Sequence, residues 1–246
     1  MQIGIITDIH GNAPALRAVL NEFDKTIGVD HIYCLGDMIG IGPDSNEVLD
    51  MLFSRNDISM ITGNHDEAIL SLATGQQYPE SHSHVREHHQ WILDRIDKAY
   101  LPELFSLPRL IEKNFDGTQM LFIHYQISKN KMSEPISKDP FSSIVEPSLD
   151  NLQKLFNDRN DDVICFGHHH PLHYFKGNNR VFLNPGSLGC NNKSTAPYAV
   201  ITLLGEKVEI NLAEAKYDNT DFLESYHKLK VPNREIILKV FHGNQM

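Results

Sequence analysis

Three histidines stand in a row, His168, His169 and His170, inside the run GHHHP. Other residues able to hold a metal are scattered through the chain. Asp8 and His10 share the run DIHGN, Asp37 follows Gly36, Asn64 and His65 lie in TGNHDE, and His124 closes MLFIH. All are oxygen or imidazole donors, and none is a thiolate. Such a set suits manganese, iron or zinc in a site with an open position better than a structural zinc cage. In extended backbone, residues two apart point the same way. Asp8 with His10, and His168 with His170, can therefore converge, while His169 points elsewhere.

Positioning these donors is the task of the elements around them. Short apolar runs each stop at a polar cluster: IGIIT at DIHGN, HIYCL at GDMIGIGP, ISMI at TGNHDE, MLFI at HYQ, VICF at GHHHP and RVFL at NPGS. Runs of this length, rich in Ile, Val, Phe and Tyr, read as strands buried on both faces. Between them, APALRAVLNEF places Leu16, Val19, Leu20 and Phe23 at helical spacing behind Pro14. DSNEVLDMLF starts with the Asp44-x-x-Glu47 look of a capped helix, and SLDNLQKLF repeats the apolar theme. Strand, polar loop and helix in alternation imply an α/β fold with a layered sheet, in which ligands gather beyond the carboxyl ends of the strands. A single Asp or His after a strand is commonly a cap or a surface group. At least five successive strand ends of ligand type are a different matter.

Two segments depart from the alternation. Residues 71–110 read as a helical cap inserted into a single domain spanning 1–246. Within it, SHSHVREHHQWILDRI carries His82, His84, His88 and His89, and Trp91, Ile92, Ile96 and Leu101 offer an apolar helix face. PYAVITLL and KVEINLAEA, separated by Gly205 and Glu206, read as a hairpin. The tail from Tyr217 to Met246 reads as one helix and a last strand, REIILKVF.

Composition sets outer bounds. A formal charge of −10 argues against a broad basic surface for long nucleic acid, yet admits an anionic substrate if bound ions reverse the local potential. No apolar run reaches the ~18–20 residues a membrane span needs, and MQIGIITDIHGN has no basic leader region. Cys34, Cys165 and Cys190 lack zinc spacing and read as buried, reduced thiols, and these features together point to an expected cytoplasmic setting.

Taken together, DIH at Asp8–His10, GD at Gly36–Asp37, GNHD at Gly63–Asp66, His124 and GHHH at Gly167–His170 resemble the five signature blocks of calcineurin-like metallophosphoesterases. Order and spacing agree over roughly residues 1–190, and NPGS at Asn184–Ser187 looks like the small bacterial phosphodiesterase branch. The resemblance implies a four-layer αββα sandwich with a dinuclear metal centre of two divalent ions, manganese first, with iron or zinc as alternatives. It implies that Asp8, His10 and His170 hold one ion and Asn64, His124 and His168 the other, with Asp37 bridging. It makes His65 the catalytic histidine with Asp66 in support, and turns Asn12 toward the phosphate. Tyr125 departs from the small residue usual after His124, which alters the pocket wall there. Two ions about 3.5–4 Å apart share a water and lower its pKa, and the resulting bridging hydroxide attacks phosphorus in line.

The stretch WILDRIDKAYLPELFSLP resembles the cap of bacterial proteins grouped with diadenosine tetraphosphate hydrolases. The substrates implied are small and nucleotide-like: dinucleoside polyphosphates, nucleoside triphosphates or phosphodiesters. Arg86 and His89, on the polar face of the cap, would then meet distal phosphates. Two alternatives compete. A serine/threonine protein phosphatase should show GDxVDRG, where this chain has GDMIGIGP. A non-catalytic scaffold of the same fold should lack His65 or several ligands, and here all are present. Neither long nucleic acid nor a membrane is expected as partner, and a homo-oligomer is left open.

Overall fold

A computed structural model describes residues 1–177, 179–205 and 207–245. The first half contributes β1 (Gln2–Ile6), α1 (Ala13–Asn21), β2 (His31–Cys34), α2 (Ser45–Phe53), β3 (Ile58–Met60) and α3 (Asn64–Thr74). Next come α4 (Arg86–Leu93), α5 (Leu101–Ser106), β4 (Leu110–Phe115) and β5 (Thr118–Ile123). After them run α6 (Leu149–Leu155), β6 (Val163–Cys165), β7 (His173–Gly177) and β8 (Arg180–Asn184). The long pair β9 (Thr195–Leu204) and β10 (Lys207–Lys216) leads to α7 (Thr220–Lys228) and α8 (Arg234–His242).

The strands form two five-stranded sheets, in the orders β10-β9-β1-β2-β3 and β4-β5-β6-β8-β7. Within the first, β1, β2 and β3 are parallel and β9 runs against them. Within the second, β5, β6 and β8 are parallel, with β4 and β7 antiparallel at the edges. Alternation of side chains decides the layering. Ile3, Ile5, Tyr33 and Leu35 of the first sheet share one core with Met120, Phe122, Cys165 and Leu183 of the second. The rings of Tyr33 and Phe122 stack across that boundary, centroids 3.7 Å apart and planes within 2°. Ile6, Ile32 and Cys34 face the other way, against Leu16 and Val19 of α1 and Val48 and Leu52 of α2. On the far side of the second sheet, Leu121, Ile164 and Phe182 pack with Leu152 of α6 and Phe156 just beyond it. The result is helix, sheet, sheet, helix. At Gly4 the helical layer lies so close that a Cβ would sit 2.7 Å from Phe23 Cε2.

Two edge strands, β4 and β7, lack the apolar runs that mark the interior ones, because much of each lies open to solvent. At the tail the expectation fails: REIILKVF is the helix α8. Ile237 and Leu238 turn inward onto Phe222 and Tyr226 of α7, while Ile236 and Val240 are each 64% exposed, a helical rather than an alternating pattern. Asp44 stands at the N-cap of α2, but its side chain makes no capping bond. In the hairpin, β9 and β10 pair from Thr195 to Leu204, Gly205 takes φ +60°, and Glu206 lies outside the described residues. Across residues 71–110 the chain is helical in short pieces, and Ile92, Leu93, Ile96 and Leu104 pack onto the core beneath α1 and α2. Among the described residues no helix is long and apolar enough to cross a membrane.

The inter-sheet stack can be tested directly. Phe122→Ala should lower the unfolding free energy by about 3–5 kcal/mol in urea titration, the usual cost of emptying a buried aromatic site. Phe105, 48% exposed on α5, should tolerate the same change within about 0.5 kcal/mol. Equal losses at the two positions would remove the stack from its place in holding the sheets together.

Candidate metal centre

The strands β1, β2, β3, β5 and β6 end at one rim of the two sheets, and the loops that follow carry the donors. These loops are not extended. Asp8, His10, Asp37 and His168 have φ of 52°, 50°, 51° and 67°, the left-handed region that costs a non-glycine residue roughly 1–2 kcal/mol. The alternation expected for Asp8 with His10 and His168 with His170 is therefore replaced by tight coiling, which brings the side chains inward by another route. Backbone bonds hold the coil: Asp8 N donates to Gly36 O (3.0 Å), His10 N to Asp37 O (2.9 Å) and Gly189 N to Asp8 O (3.0 Å).

Seven side chains meet there in two adjoining groups that share Asp37. In the first, Asp8 Oδ1 lies 3.6 Å from His10 Nε2 and 3.7 Å from His170 Nε2, and the two imidazole nitrogens are 3.1 Å apart. In the second, Asn64 Oδ1 lies 2.9 Å from His124 Nε2 and 2.6 Å from His168 Nδ1. Asp37 Oδ2 reaches both, at 3.8 Å from His10 Nε2 and 3.2 Å from His124 Nε2. Its other oxygen, Oδ1, is occupied by the His65 amide at 2.8 Å.

The donors fit divalent ions. Asp8 Oδ2 accepts from Thr7 Oγ1 and from the His168 amide, but its buried Oδ1 has no hydrogen-bond partner among the described residues. Such an orphan costs roughly 1–3 kcal/mol unless something satisfies it, and it faces two imidazole nitrogens. His124 Nδ1 donates to the Leu35 carbonyl at 2.7 Å, which directs Nε2 toward the site. Burial pushes the His168 and His170 imidazoles down to about 3 and about 4, leaving neutral rings with lone pairs to offer. Burial acts against a charge on His124 too, but Asp37 overcomes it and raises that imidazole to about 9. The Asp37 carboxyl is held well below its usual range, because His124, His65 and His10 outweigh its burial. Positive charge between Asp37 and His124 is what this pocket stabilises, and a metal ion supplies it without a proton.

The sequence profile of the calcineurin-like phosphoesterase superfamily domain matches residues 1–206. The chain belongs to that superfamily. An uncharacterized protein of Methanocaldococcus jannaschii is 29% identical over 94% of this chain and 93% of its own length. A symmetrical bis(5'-nucleosyl)-tetraphosphatase of Paracidovorax citrulli is 32% identical over 50% of this chain, and the match spans only 44% of that enzyme's length. Among solved structures, a hypothetical protein from Pyrococcus horikoshii OT3 superposes with a TM-score of 0.79 over 98% of both chains at 17% identity. That likeness is one of fold.

Around the donors lies a cleft of about 390 Å³, lined by Asp37, Asn64, His65, His82, His168 and His170 with apolar walls from Ile144, Ile237 and Phe241. His169 borders the same cleft, but its Nδ1 pairs with His173 Nε2 at 3.2 Å and it joins neither donor group. Tyr125 is buried behind His168, ring centroids 4.9 Å apart, with its hydroxyl accepting from the Val145 amide.

Four expected contacts are placed elsewhere. Asn12 does not face the cleft. It caps α1 through the Ala15 amide, donates to Gly189 O and Tyr217 Oη, and is fully buried. Asp66 accepts from the Ile39 and Gly63 amides and so braces two loops rather than the His65 ring. Arg86 lies exposed over the Tyr78 ring, off the cleft. His89 is buried behind His65 instead of presenting a polar face. Conversely, two residues to which the sequence assigns no role reach the site: His82 Nε2 is 2.8 Å from Asn64 Nδ2, and the Tyr78 hydroxyl is bonded to His89. For His82 the signal is the histidine density of SHSHVREHH, which gives no direction; Tyr78 lies before that run and carries no such mark.

Gly63 offers a test of the shared carboxylate. Its φ of −104° suits any residue, but a Cβ there would fall 2.2 Å from Asp37 Oδ1. Gly63→Ala should therefore displace Asp37 and lower the manganese bound per chain in calorimetric titration, while the circular dichroism spectrum stays unchanged. Undiminished binding would show that the close approach has no bearing on the donors.

Proposed function

We propose that the protein is a dinuclear metal-dependent hydrolase of small nucleotide-type phosphate esters, with dinucleoside polyphosphates such as diadenosine tetraphosphate as its preferred class. The observation that carries the reading is Asp37, one oxygen of which reaches both donor groups while the other takes the amide of the residue proposed to act on substrate. Asp8, His10 and His170 would hold one ion, Asn64, His124 and His168 the other, and Asp37 both. When bound, the ions supply a water of lowered pKa and positive charge against the phosphoryl oxygens; manganese, iron and zinc all suit the donors.

The chain's own residues do the rest. His65 Nδ1 is engaged with His89, so Nε2 is the ring nitrogen left for the cleft; burial keeps the ring neutral, and as the Nε2–H tautomer it can donate a hydrogen bond to the departing oxygen. Residues 71–110 act within the one domain as a wall of the cleft, through His82, His84, Val85 and His88. Asn12 and Arg86 have no part in this reading. The alignment of half the chain with a symmetrical tetraphosphatase supports the polyphosphate class. Substrates of that kind, together with three buried free thiols, support a cytoplasmic setting.

Turnover of the purified protein with manganese, iron, zinc or magnesium should be fastest on diadenosine tetraphosphate, compared with a nucleoside triphosphate, a chromogenic phosphodiester and a phosphoserine peptide. Preference for the peptide would transfer the protein to the phosphatases acting on proteins. Asp37→Asn should lose both dinuclear occupancy and turnover. His65→Ala should retain two ions per chain by elemental analysis and lose turnover roughly 10²–10⁴-fold, the scale of a positioned donor to developing charge. Loss of the ions in His65→Ala would make it a ligand instead.

A further inference from the structure

The ring of His65 needs a fixed aim, and the residue that normally suggests itself is already engaged. Asp66, next in sequence, spends both oxygens on the Ile39 and Gly63 amides. On one side the His65 side chain lies against Gly40, where a Cβ would come within 2.6 Å of His65 Cβ. On the other, His65 Nδ1 is 2.9 Å from His89 Nε2, with ring centroids 5.0 Å apart at 75°. His89 Nδ1 is in turn 2.7 Å from the Tyr78 hydroxyl, whose oxygen also lies 3.2 Å from the His82 carbonyl; the hydroxyl proton shared with His89 Nδ1 directs the His89 Nε2 proton to His65 Nδ1. The His82 ring stands against Asn64, so one hydroxyl ties the His89 imidazole behind His65 to the backbone of the residue that backs Asn64.

Packing alone does not call for these groups. Ile92, Leu93 and Ile96 already anchor the inserted segment by apolar contact. A fully buried imidazole beside a 92%-buried tyrosine is costly unless every polar atom is paired. Here the pairing closes only through His65 and the His82 carbonyl. Rotation about the last side-chain bond of histidine is broad, and a misplacement of about 1 Å can cost on the order of 10²-fold in rate.

We propose that Tyr78 and His89 are positioning residues: Tyr78 fixes His89, and His89 fixes the His65 ring with Nε2 aimed at the reacting phosphate ester. The inference rests on the action of His65 on substrate put forward above. It gives the insertion a task in the reaction distinct from substrate contact.

The test uses the full-length, manganese-loaded protein and the substrate it turns over fastest. His89→Ala should lower kcat roughly 10–100-fold, the range seen when an orienting partner is lost, with KM and the ion count unchanged. His89→Gln, whose amide can still meet His65 Nδ1, should recover part of that loss. Tyr78→Phe removes a single oxygen, should lower the urea midpoint by leaving a buried group unpaired while the chain stays folded, and should lower kcat in the same direction. In a His65→Ala background neither His89→Ala nor Tyr78→Phe should reduce kcat further. Histidine ring-nitrogen NMR of the ion-free Tyr78→Phe chain should show the His65 Nδ1 resonance displaced. Additive losses in the double variants, an unmoved resonance, or a fall confined to KM or ion content would overturn the proposal while leaving the role of His65 intact. A His65→Ala variant with wild-type turnover would overturn both readings at once.

Discussion

A carboxylate buried where the β1 and β2 loops cross is the feature on which the rest of the rim depends. Asp37 is 1% exposed, and a charge so placed needs partners on all sides. It has the His65 amide on one oxygen, His10 and His124 on the other, and the Gly63 backbone packed too tightly against it to admit a methyl group. Four donor-bearing residues adopt left-handed backbone to meet these demands. The parallel pairing of β1, β2 and β3 makes that tolerable, because it brings the strand ends level and lets amides of one loop donate to carbonyls of the next. Local strain is thus offset by the sheet that creates the rim.

This dependence explains what could be read from sequence. Interior parallel strands are buried on both faces and so announce themselves as unbroken apolar runs; each of those runs is a strand, and each donor stands just after one, although ISMI forms β3, a half-buried edge strand rather than an interior one. The edge strands β4 and β7 are wet on one side and carry no such mark. REIILKVF misleads for a related reason. Its apolar residues suit either a strand or a helix, and only the contact of Ile237 and Leu238 with α7, supplied by tertiary structure, decides the matter. Convergence of Asp8 with His10 was legible from residue type, although the extended geometry invoked for it was not the one adopted.

The insertion was the least legible part. A helical face of Arg86, His88 and His89 looks polar on paper, yet His88 is 2% exposed and bonds the Ile41 carbonyl, and His89 is fully enclosed between Tyr78 and His65. Imidazole is buried readily when partners wait at its nitrogens, and those partners lie up to 47 residues away along the chain. Asn12 illustrates the converse: a polar residue beside the donors is spent on capping α1 and bridging to Gly189 and Tyr217.

Charge completes the physical picture. The chain carries −10 overall, which by itself repels a polyphosphate. At the rim, however, the carboxylates of the donor set are only Asp8 and Asp37, and burial keeps His168 and His170 neutral. Two divalent ions held by such a set would leave an excess of positive charge, concentrated beneath a cleft whose walls are partly apolar. Low-dielectric walls strengthen that field at short range, while salt screens the acidic surface within about 8–10 Å. Attraction of an anionic substrate is therefore conditional on the ions, and an acidic exterior is compatible with a polyanionic ligand. The same excess charge favours a neutral partner behind His65 over a carboxylate. A neutral His89 can hold the ring while leaving the positive potential for the phosphate undiminished.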